Sequence, residues 1–599
     1  MYDPNKDGDI GSYIQWLQKK KKKKKSLKLG IASAIFLLII IIGLITAMDA
    51  KQLKKDASFM KASLQTSVKL IKDGEPEEAK VQIEKTKETT AKLEKKLDSP
   101  LWKMHSFLPV VGKQIRSVRQ LLSIVDEASD TILTPAADVF AEYPLSSIKV
   151  GDSGFNVRAV GSYISFAEGV MPEARTIAKQ VSKMNLSLVD KDGKFKEYQE
   201  KFAKIDEQYD EISDLLPVLK VICGDEADHL YVLTAANTSE MRPLGGFVGS
   251  VGTIQITDGV LTIGDFKTVY DCFYKDTPDS LGITMQERNL FNDKLYVTWD
   301  ANYTPDFGRA AEIMASGYEM YNDVQVDGVI SFTPTIVQKV LAMSGPITLS
   351  DGTEVDGTNA ARVIERDLYF KYFNNRSFST RNAKYADQLF SETAKKAMTM
   401  FVSGFDAKNI MAYYNLFASC VEDRSMYIWM RDEAEQNVMI SSGVSGVINN
   451  GIPDATSGVY LGFYHGQKLG YFIDIETSVS EPTVNQDRSR TYTVNVLLRN
   501  TSTDEELKDV TNEYVTGEYE LTEGSLYVTA PVGGVISDFT MSDGSQTAVT
   551  DYMDISMGYN LDINLYRDSE ILATYNVTTA PGIDAPLKVH HTPTLTEYR

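Results

Sequence analysis

The first strong hydrophobic pattern in the chain is a run of 20 uncharged residues, Leu29–Met48, directly after seven consecutive lysines at 19–25. A helix of this length spans the roughly 30 Å hydrocarbon core of a bilayer. Lysines next to such a helix stay on the cytoplasmic side. A cleaved signal peptide fits less well, because its apolar region is shorter and ends in small residues. We therefore predict a single-pass signal anchor at 29–48, a cytoplasmic tail at 1–28 and an extracellular bulk of the chain.

Apolar positions then recur at helical spacing as far as about residue 220. One stripe runs from Leu53 to Ile71 and another from Ile83 to Leu97, on either side of a turn at Asp73–Pro76. Proline is well placed in the first turn of the second helix. The pattern predicts a helical stalk or bundle over 49–220.

Beyond residue 221, short apolar runs such as Leu230–Leu233 alternate with helical stretches. This mixture predicts a central α/β domain over 221–465. From 466 the period becomes two, as in Tyr492–Leu498, which predicts a C-terminal antiparallel β-sandwich over 466–599. The expected fold class is therefore multidomain α+β.

The formal net charge of the chain is −20, although residues 1–28 hold nine lysines against three aspartates. An acidic exterior argues against nucleic acid as a partner. Three cysteines are too few for a disulfide framework. An exported protein of this composition suits the envelope of a Gram-positive bacterium better than an animal cell surface.

Common catalytic motifs, such as Gly-x-Ser-x-Gly, His-Glu-x-x-His and the Walker loop, are absent from the sequence. One candidate site is the loop Asn237–Ser250, which follows the predicted strand Leu230–Leu233. Its glycines, including Gly245 and Gly246, allow a tight turn with N–H groups directed at an anion, and Arg242 could add a contact to phosphate. The alternative is a structural turn in which Arg242 pairs with a carboxylate.

A second candidate is the stretch Arg362–Lys384, which is basic in an acidic chain. It contains Arg362 and Arg366 beside aromatic residues that include Tyr369. Arginines could bind a phosphate while the rings contact a lipid or sugar. The alternative is a solvated helix end whose aromatic residues belong to the core.

Three segments resemble the domain-of-unknown-function family 4012: Asn237–Ser250, Asp300–Phe307 and Val326–Ile330. Trp102–Gly112 is also similar to the helical region of that family. Its members are membrane-anchored exported bacterial proteins, and the family name carries no established activity.

The order of elements over Asp327–Arg381 is similar to that of the LytR–CpsA–Psr phosphotransferases of bacterial cell walls. That resemblance implies that Arg242, Arg366, Arg376 and Arg381 hold a polyprenyl diphosphate. It also implies that Asp265, Asp271 or Asp300 acts as a base or binds Mg²⁺. The chain departs from that family where Pro243 and Leu244 follow Arg242, since the family carries an acidic metal ligand there.

These observations lead to two hypotheses. The first is a membrane-anchored envelope protein that binds, or also transfers, a lipid-diphosphate-linked glycopolymer in cell-wall or capsule assembly. The second is a non-catalytic scaffold that binds envelope glycans or other envelope proteins. A deep apolar groove beside clustered arginines would favour the first, and arginines on separate faces would favour the second.

Overall fold

The computed structural model describes residues 51–100, 102, 107, 111–151, 154–184, 199–200, 203, 209, 216–223, 227–373, 380–404, 410–508, 513–516 and 521–599. The predicted anchor at 29–48 and its lysines lie outside these residues. Within the described part, no helix combines the length and apolar character needed to cross a membrane. The chain forms two compact units, one made of Met1–Ala227, Thr257–Leu261 and Phe405–Asn415 and the other of the remaining residues.

The first unit is a helical bundle with a large hydrophobic core and a small second cluster formed by Ile164, Ala167 and Leu216. Its described α-helices are Lys51–Asp73, Pro76–Leu97, Val111–Ala128, Thr134–Glu142 and Val157–Ser182. A short hairpin consists of β1, Lys149–Val150, and β2, Gly154–Asn156. Both predicted stripes are buried, from Met60 to Ile71 and from Ile83 to Leu97. The predicted break is confirmed, because one helix ends at Asp73 and the next begins at Pro76.

The second unit contains a mixed sheet followed by a β-sandwich. Its strands are β3 His229–Asn237, β4 Phe247–Thr257, β5 Val260–Ile263, β6 Lys267–Thr268, β7 Gly328–Phe332, β8 Ile347–Thr348, β9 Glu354–Val355, β10 Met426–Met430, β11 Thr456–Phe463, β12 Ile473–Val479, β13 Thr483–Val484, β14 Arg490–Asn500, β15 Leu521–Thr529, β16 Val535–Met541, β17 Thr547–Tyr552, β18 Ile555–Tyr566, β19 Ser569–Thr578 and β20 Lys588–His591.

Helices follow the strands of the mixed sheet. The α-helices of this half of the chain are Met285–Leu290, Phe307–Asn322, Pro334–Ser344, Ala360–Arg362, Leu368–Tyr372, Thr380–Ser403, Ile410–Glu422, Glu433–Ser441, Asp504–Leu507 and Glu513–Thr516. Short 3₁₀ turns include Lys294–Tyr296 and Thr298–Tyr303, and a π-helical turn covers Val363–Asp367. These elements confirm the predicted mixture of strands and helices.

The central strand β3 pairs with β7 in parallel and with β4 antiparallel, and β10 lies antiparallel to β7. Residues 231–237 of β3 are buried, as expected for a strand covered on both faces. The loop after β3 therefore leaves the middle of the sheet at the edge where ligands commonly bind in open sheets of this kind.

The sandwich consists of two five-stranded sheets, one ordered β17-β18-β15-β11-β20 and the other built on β12-β14-β19-β16. Alternation in β14 is as predicted, since Tyr492, Val494, Val496 and Leu498 are buried in the core between the sheets. Strand β11 at Thr456–Phe463 lies before the predicted boundary at 466 and pairs with β15 in a sandwich sheet. Its residues Val459–Leu461 show no alternation of polar and apolar side chains that would predict a sandwich strand.

Strand β11 joins the sandwich to the mixed-sheet core. Val459 and Leu461 pack in the sandwich core, whereas Tyr460 between them packs in the core that contains Val232 of β3 and Phe307. Alternate side chains of one strand point to opposite faces, so β11 contributes to both cores.

Candidate functional site

A buried carboxylate fixes the loop that follows β3. Glu365, in the π-helical turn, accepts hydrogen bonds from the backbone N–H groups of Thr238 (3.2 Å) and Ser239 (2.8 Å). The hydroxyl of Ser239 donates to the backbone carbonyl of Glu365 at 2.7 Å. Burial raises the pKa of Glu365 to about 7, and these hydrogen bonds oppose the rise. The loop is thereby held in one conformation next to the sheet.

The two glycines of the loop make a tight turn. A Cβ on Gly246 would lie 2.1 Å from the carbonyl oxygen of Asn237, and its φ of +136° is unfavourable for other residues. The N–H of Gly245 donates to the carbonyl of Arg242 at 2.9 Å. That amide is therefore engaged within the turn and is not directed at an anion.

Arg242 is a buried cation whose side chain is engaged by backbone and rings. The residue is only 4% exposed, and its Nη1 donates to the carbonyls of Met241 (2.9 Å) and Phe463 (2.8 Å). Its guanidinium carbon lies 4.5 Å from the centre of the Tyr303 ring. The buried Nε has no hydrogen-bond partner among the described residues. The alternative predicted for Arg242, a pair with a carboxylate, is not formed within 4 Å in the described part of the chain.

Asp300 and Lys294 complete the charged surroundings of Arg242. Burial raises the pKa of Asp300, and the charges of Arg242 and Lys294 oppose that rise. Burial lowers the pKa of Lys294, and Asp300 opposes it; the ammonium donates to the carbonyl of Tyr464 at 3.2 Å. Within the described residues, no ion pair shorter than 4 Å joins Asp300 to either cation. The ring of Tyr303 lies next to both cations, with its centre 4.5 Å from the guanidinium carbon of Arg242 and 5.2 Å from Nζ of Lys294.

A second set of charges lies beside the loop. Lys468 forms an ion pair with Glu240, and the two side chains are 1% and 9% exposed. The Lys468 ammonium also lies 4.0 Å from the centre of the Tyr369 ring. Burial raises the pKa of Asp387 to about 6, while Lys468 opposes this change. The sequence analysis did not identify Lys468 or Asp387 as site residues, since no local pattern links them to a loop more than 140 residues away.

Two aromatic rings, the exposed Tyr270 and the half-buried Trp299, lie near these charges. Tyr270 is 57% exposed and its ring centre lies 5.1 Å from that of Trp299 in an edge-on contact. Partial burial, followed by the charges of Glu240, Asp387 and Asp300, raises the pKa of Tyr270 to about 12. The phenol of Tyr270 is thus close enough to the three carboxylates to feel their charge. We call the following residues the Arg242 cluster: Glu240, Arg242, Lys294, Asp300, Asp387 and Lys468, with Tyr270 and Trp299 at its rim.

Other predicted site residues have structural contacts near this cluster. The amide of Asn237 donates to the Tyr369 hydroxyl at 2.9 Å, and both side chains are buried. The structure thus brings Asn237, Arg242, Gly245, Gly246, Asp300 and Tyr369 together around one loop. Asp265 pairs with Lys395, and Asp271 accepts from Thr268 at 2.9 Å.

The arginines of the basic stretch form a separate group. Arg362 and Arg366 both contact Asp367, at 3.2 Å and 3.4 Å, and Arg366 also lies over Phe370 and Tyr471. Arg376 lies outside the described residues. Arg381 belongs to the helix Thr380–Ser403, but its side chain is outside the description. Of the four arginines predicted to hold a diphosphate, only Arg242 and Arg366 have described side chains, so the predicted clamp stays a prediction.

Nowhere in the described ranges do three or more His, Cys, Asp or Glu side chains lie close enough together to hold a metal ion. The residues of the Arg242 cluster do not provide the ligand set expected for Mg²⁺, since Glu240 is already paired with Lys468. No step proposed below passes through a metal.

Comparison with known proteins identifies one family. Residues 226–369 match the model of a family described as "Protein of unknown function (DUF4012)", which confirms the resemblance of the three segments between Asn237 and Ile330. Trp102–Gly112 lies outside the matched residues. The matched segment contains the loop after β3, Lys294 and Asp300 but not Asp387 or Lys468. No curated protein and no solved structure matches the chain.

Proposed function

We propose, from the family match at 226–369 and the geometry of the Arg242 cluster, that this chain is an envelope protein that binds a polyprenyl-diphosphate-linked glycan. The observation that carries the proposal is the separation of Arg242 and Lys294 from Asp300. Two cations share an electrostatic interaction with one carboxylate and contact it nowhere within the described residues. An anionic group bound between them would supply the missing contacts.

The chemistry of the cluster suits a diphosphate. Arg242 retains a buried Nε donor without a partner, and Lys294 has a lowered pKa that a bound anion would raise. Charge-assisted hydrogen bonds to phosphate oxygens are stronger than those between neutral groups. Tyr270 and Trp299 then offer ring surfaces to the sugar or to the first part of the lipid.

The predicted anchor at Leu29–Met48 supports the lipid part of this proposal. With this anchor, the part of the chain after residue 48 would lie at the outer face of a membrane, where nucleotide donors are absent and lipid-linked donors are present. We therefore place the protein in the cell membrane, with its head outside.

Transfer of the glycan would require a base for the attacking hydroxyl. Asp300 is the carboxylate that lies beside both cations, and burial raises its pKa toward the range useful for proton transfer. In this proposal the acceptor hydroxyl attacks the phosphorus that carries the glycan, and Asp300 accepts the hydroxyl proton. The bond from this phosphorus to the bridging oxygen of the diphosphate breaks, and polyprenyl phosphate leaves with its charge bound by Arg242 and Lys294. The variant Asp300→Asn should keep bound lipid and lose transfer.

The test is native mass spectrometry of the full chain purified in mild detergent. We expect polyprenyl-diphosphate lipid bound to the wild type. The affinity for this lipid, calculated from the fraction of protein that carries it, should fall by about tenfold or more in Lys294→Gln, because one charge-assisted contact is removed. Lys395→Gln is the matched control, since Lys395 pairs with Asp265 on the surface. Equal lipid retention by the two variants would refute the proposed site.

A non-catalytic scaffold is the second candidate function. It is favoured by Arg362 and Arg366, which both contact Asp367, and by the guanidinium of Arg366, which lies over the Tyr471 ring. In addition, a depression of about 560 Å³ at the end of the helix Phe307–Asn322 is shallow, unlike the deep groove expected for a lipid. It is lined by Glu319, Met320, Asp323, Val324, Gln325 and Arg431. A folded protein that retains no lipid in detergent would support the scaffold.

A further inference from the structure

Arg424 is a second cation with unusual surroundings. It lies between the helix Ile410–Glu422 and β10, and its backbone adopts a left-handed φ of +55°. Its Nη1 donates to the Tyr460 hydroxyl at 3.2 Å, and the phenol of Tyr427 is its other polar neighbour. Within the described ranges, no carboxylate lies within 4 Å of this guanidinium. The neighbouring carboxylate of Asp423 is engaged by Lys339 instead.

A partly buried arginine without a counter-charge is energetically unfavourable. Removing a charge from water costs several kcal/mol unless an opposite charge or a full set of hydrogen bonds replaces the solvent. Two phenols accept only part of the hydrogen-bonding capacity of a guanidinium, which has five N–H donors. The arrangement at Arg424 therefore has unused donors and an unmatched positive charge.

The edge strand β20 adds further cationic and hydrogen-bonding groups on the same face. His590 pairs with Gly458 in the parallel register between β11 and β20. Paired residues on neighbouring strands lie on the same face of the sheet, and so do residues two positions apart in one strand. His590, Lys588 and Tyr460 therefore point to the same side. Gly458 makes this possible, since a Cβ there would lie 2.4 Å from the Tyr460 ring. The ring of Tyr460 thus lies over Gly458 and next to His590.

The pKa of His590 responds to the same cations. Burial, followed by the charges of Arg424 and Lys588, lowers the pKa of His590 to about 4. The imidazole is therefore neutral at pH 7, with one N–H donor, and it forms no hydrogen bond with any described residue. Arg424 and Lys588 thus bring two positive charges to this part of a chain whose formal net charge is −20.

We propose that Arg424, Tyr460, Lys588 and His590 form a binding site for a phosphate-type oxyanion. The donors belong to three different elements, namely the loop before β10, strand β11 and strand β20. Arginine is well suited to phosphate because its planar fork gives two parallel hydrogen bonds. The anion would come from free phosphate or from the phosphodiester of an envelope polymer. This site is distinct from the Arg242 cluster and does not depend on the function proposed for it.

The test is isothermal titration calorimetry of the full chain in detergent, with inorganic phosphate and with soluble poly(glycerol phosphate) as separate titrants. Potassium chloride of equal ionic strength measures the nonspecific heat. We expect saturable binding that Arg424→Gln weakens by about tenfold or more, since a charge-assisted contact is lost. Tighter binding of the polymer identifies the phosphodiester as the source, and binding of phosphate alone identifies the free ion.

Arg488→Gln is the matched control, because Arg488 is an exposed arginine that also has a left-handed φ, of +69°. It should bind both titrants like the wild type. His590→Gln keeps a neutral hydrogen-bonding side chain on the edge strand and should weaken binding without disturbing the fold. Heats that equal those of chloride, or wild-type affinity in both Arg424→Gln and His590→Gln, would overturn the proposal.

Discussion

The buried ion pair between Lys468 and Glu240 allows a quantitative test of how the sandwich is attached to the mixed-sheet core. Lys468 lies just after β11, and Glu240 lies in the loop after β3. Replacing Lys468 by Met leaves the Glu240 carboxylate buried without its partner. Breaking a buried pair in this way costs about 3–5 kcal/mol. The lost contact between the ammonium and the Tyr369 ring, 4.0 Å in the structure, acts in the same direction.

The measurement is the free energy of unfolding from urea titration, followed by tryptophan fluorescence. Trp299 and Trp429 both lie in the second unit and report its unfolding. Lys395→Met is the control, because the pair of Lys395 with Asp265 is exposed, at 48% and 69%, and should contribute no more than about 1 kcal/mol.

A double variant separates the pair from its surroundings. Glu240→Gln combined with Lys468→Met removes both charges, so it should cost less than Lys468→Met alone. If Lys468→Met costs no more than Lys395→Met, or if the double variant is less stable than the single one, the unpaired carboxylate is not the cause and the reasoning fails.

Two further predictions concern the loop after β3. Because burial raises the pKa of Glu365 to about 7 from 4.5, the folded protein retains a proton that the unfolded chain releases. The free energy of unfolding should therefore fall by about 3 kcal/mol between about pH 4.5 and 7, and Glu365→Gln should remove this part of the slope in urea titrations; an unchanged slope would contradict it. Gly246→Ala should lower the free energy of unfolding by at least about 2 kcal/mol, since it combines an unfavourable φ with a clash against Asn237. Gly544→Ala, with a φ of +78° and no atom near the new Cβ, should cost less, and equal losses would exclude the clash.

The local parts of the fold could be predicted from the sequence because their signals are local. The helix break at Asp73–Pro76 and the alternation in β14 depend on residues within a few positions of one another, and both are confirmed. The sequence does not reveal β11 as a strand of the sandwich, because β11 is buried on both faces and so shows no alternation. Pairing with β15 and β20, which decides its assignment, is not visible in its own residues.

The candidate site was predictable only in part for the same reason. Arg242 and Asp300 lie in segments that resemble a known family, so sequence reasoning could find them. Lys468 is more than 220 residues from Glu240 along the chain and has no motif around it. The local sequence shows only a single lysine before the apolar run Leu469–Phe472. Many surface lysines have the same local sequence pattern, so it does not reveal that Lys468 is buried.

Strand β11 also determines which part of this chain can exist alone. The segment that matches the family ends at residue 369, yet the carbonyl that holds Arg242 belongs to Phe463 and the ring that fills the same core belongs to Tyr460. A recombinant fragment cut at the limits of the family match would expose these surfaces and lose its buried arginine contacts. The sandwich and the mixed sheet thus belong to one folding unit. Any gene fusion or truncation that preserves the loop after β3 must also preserve β11.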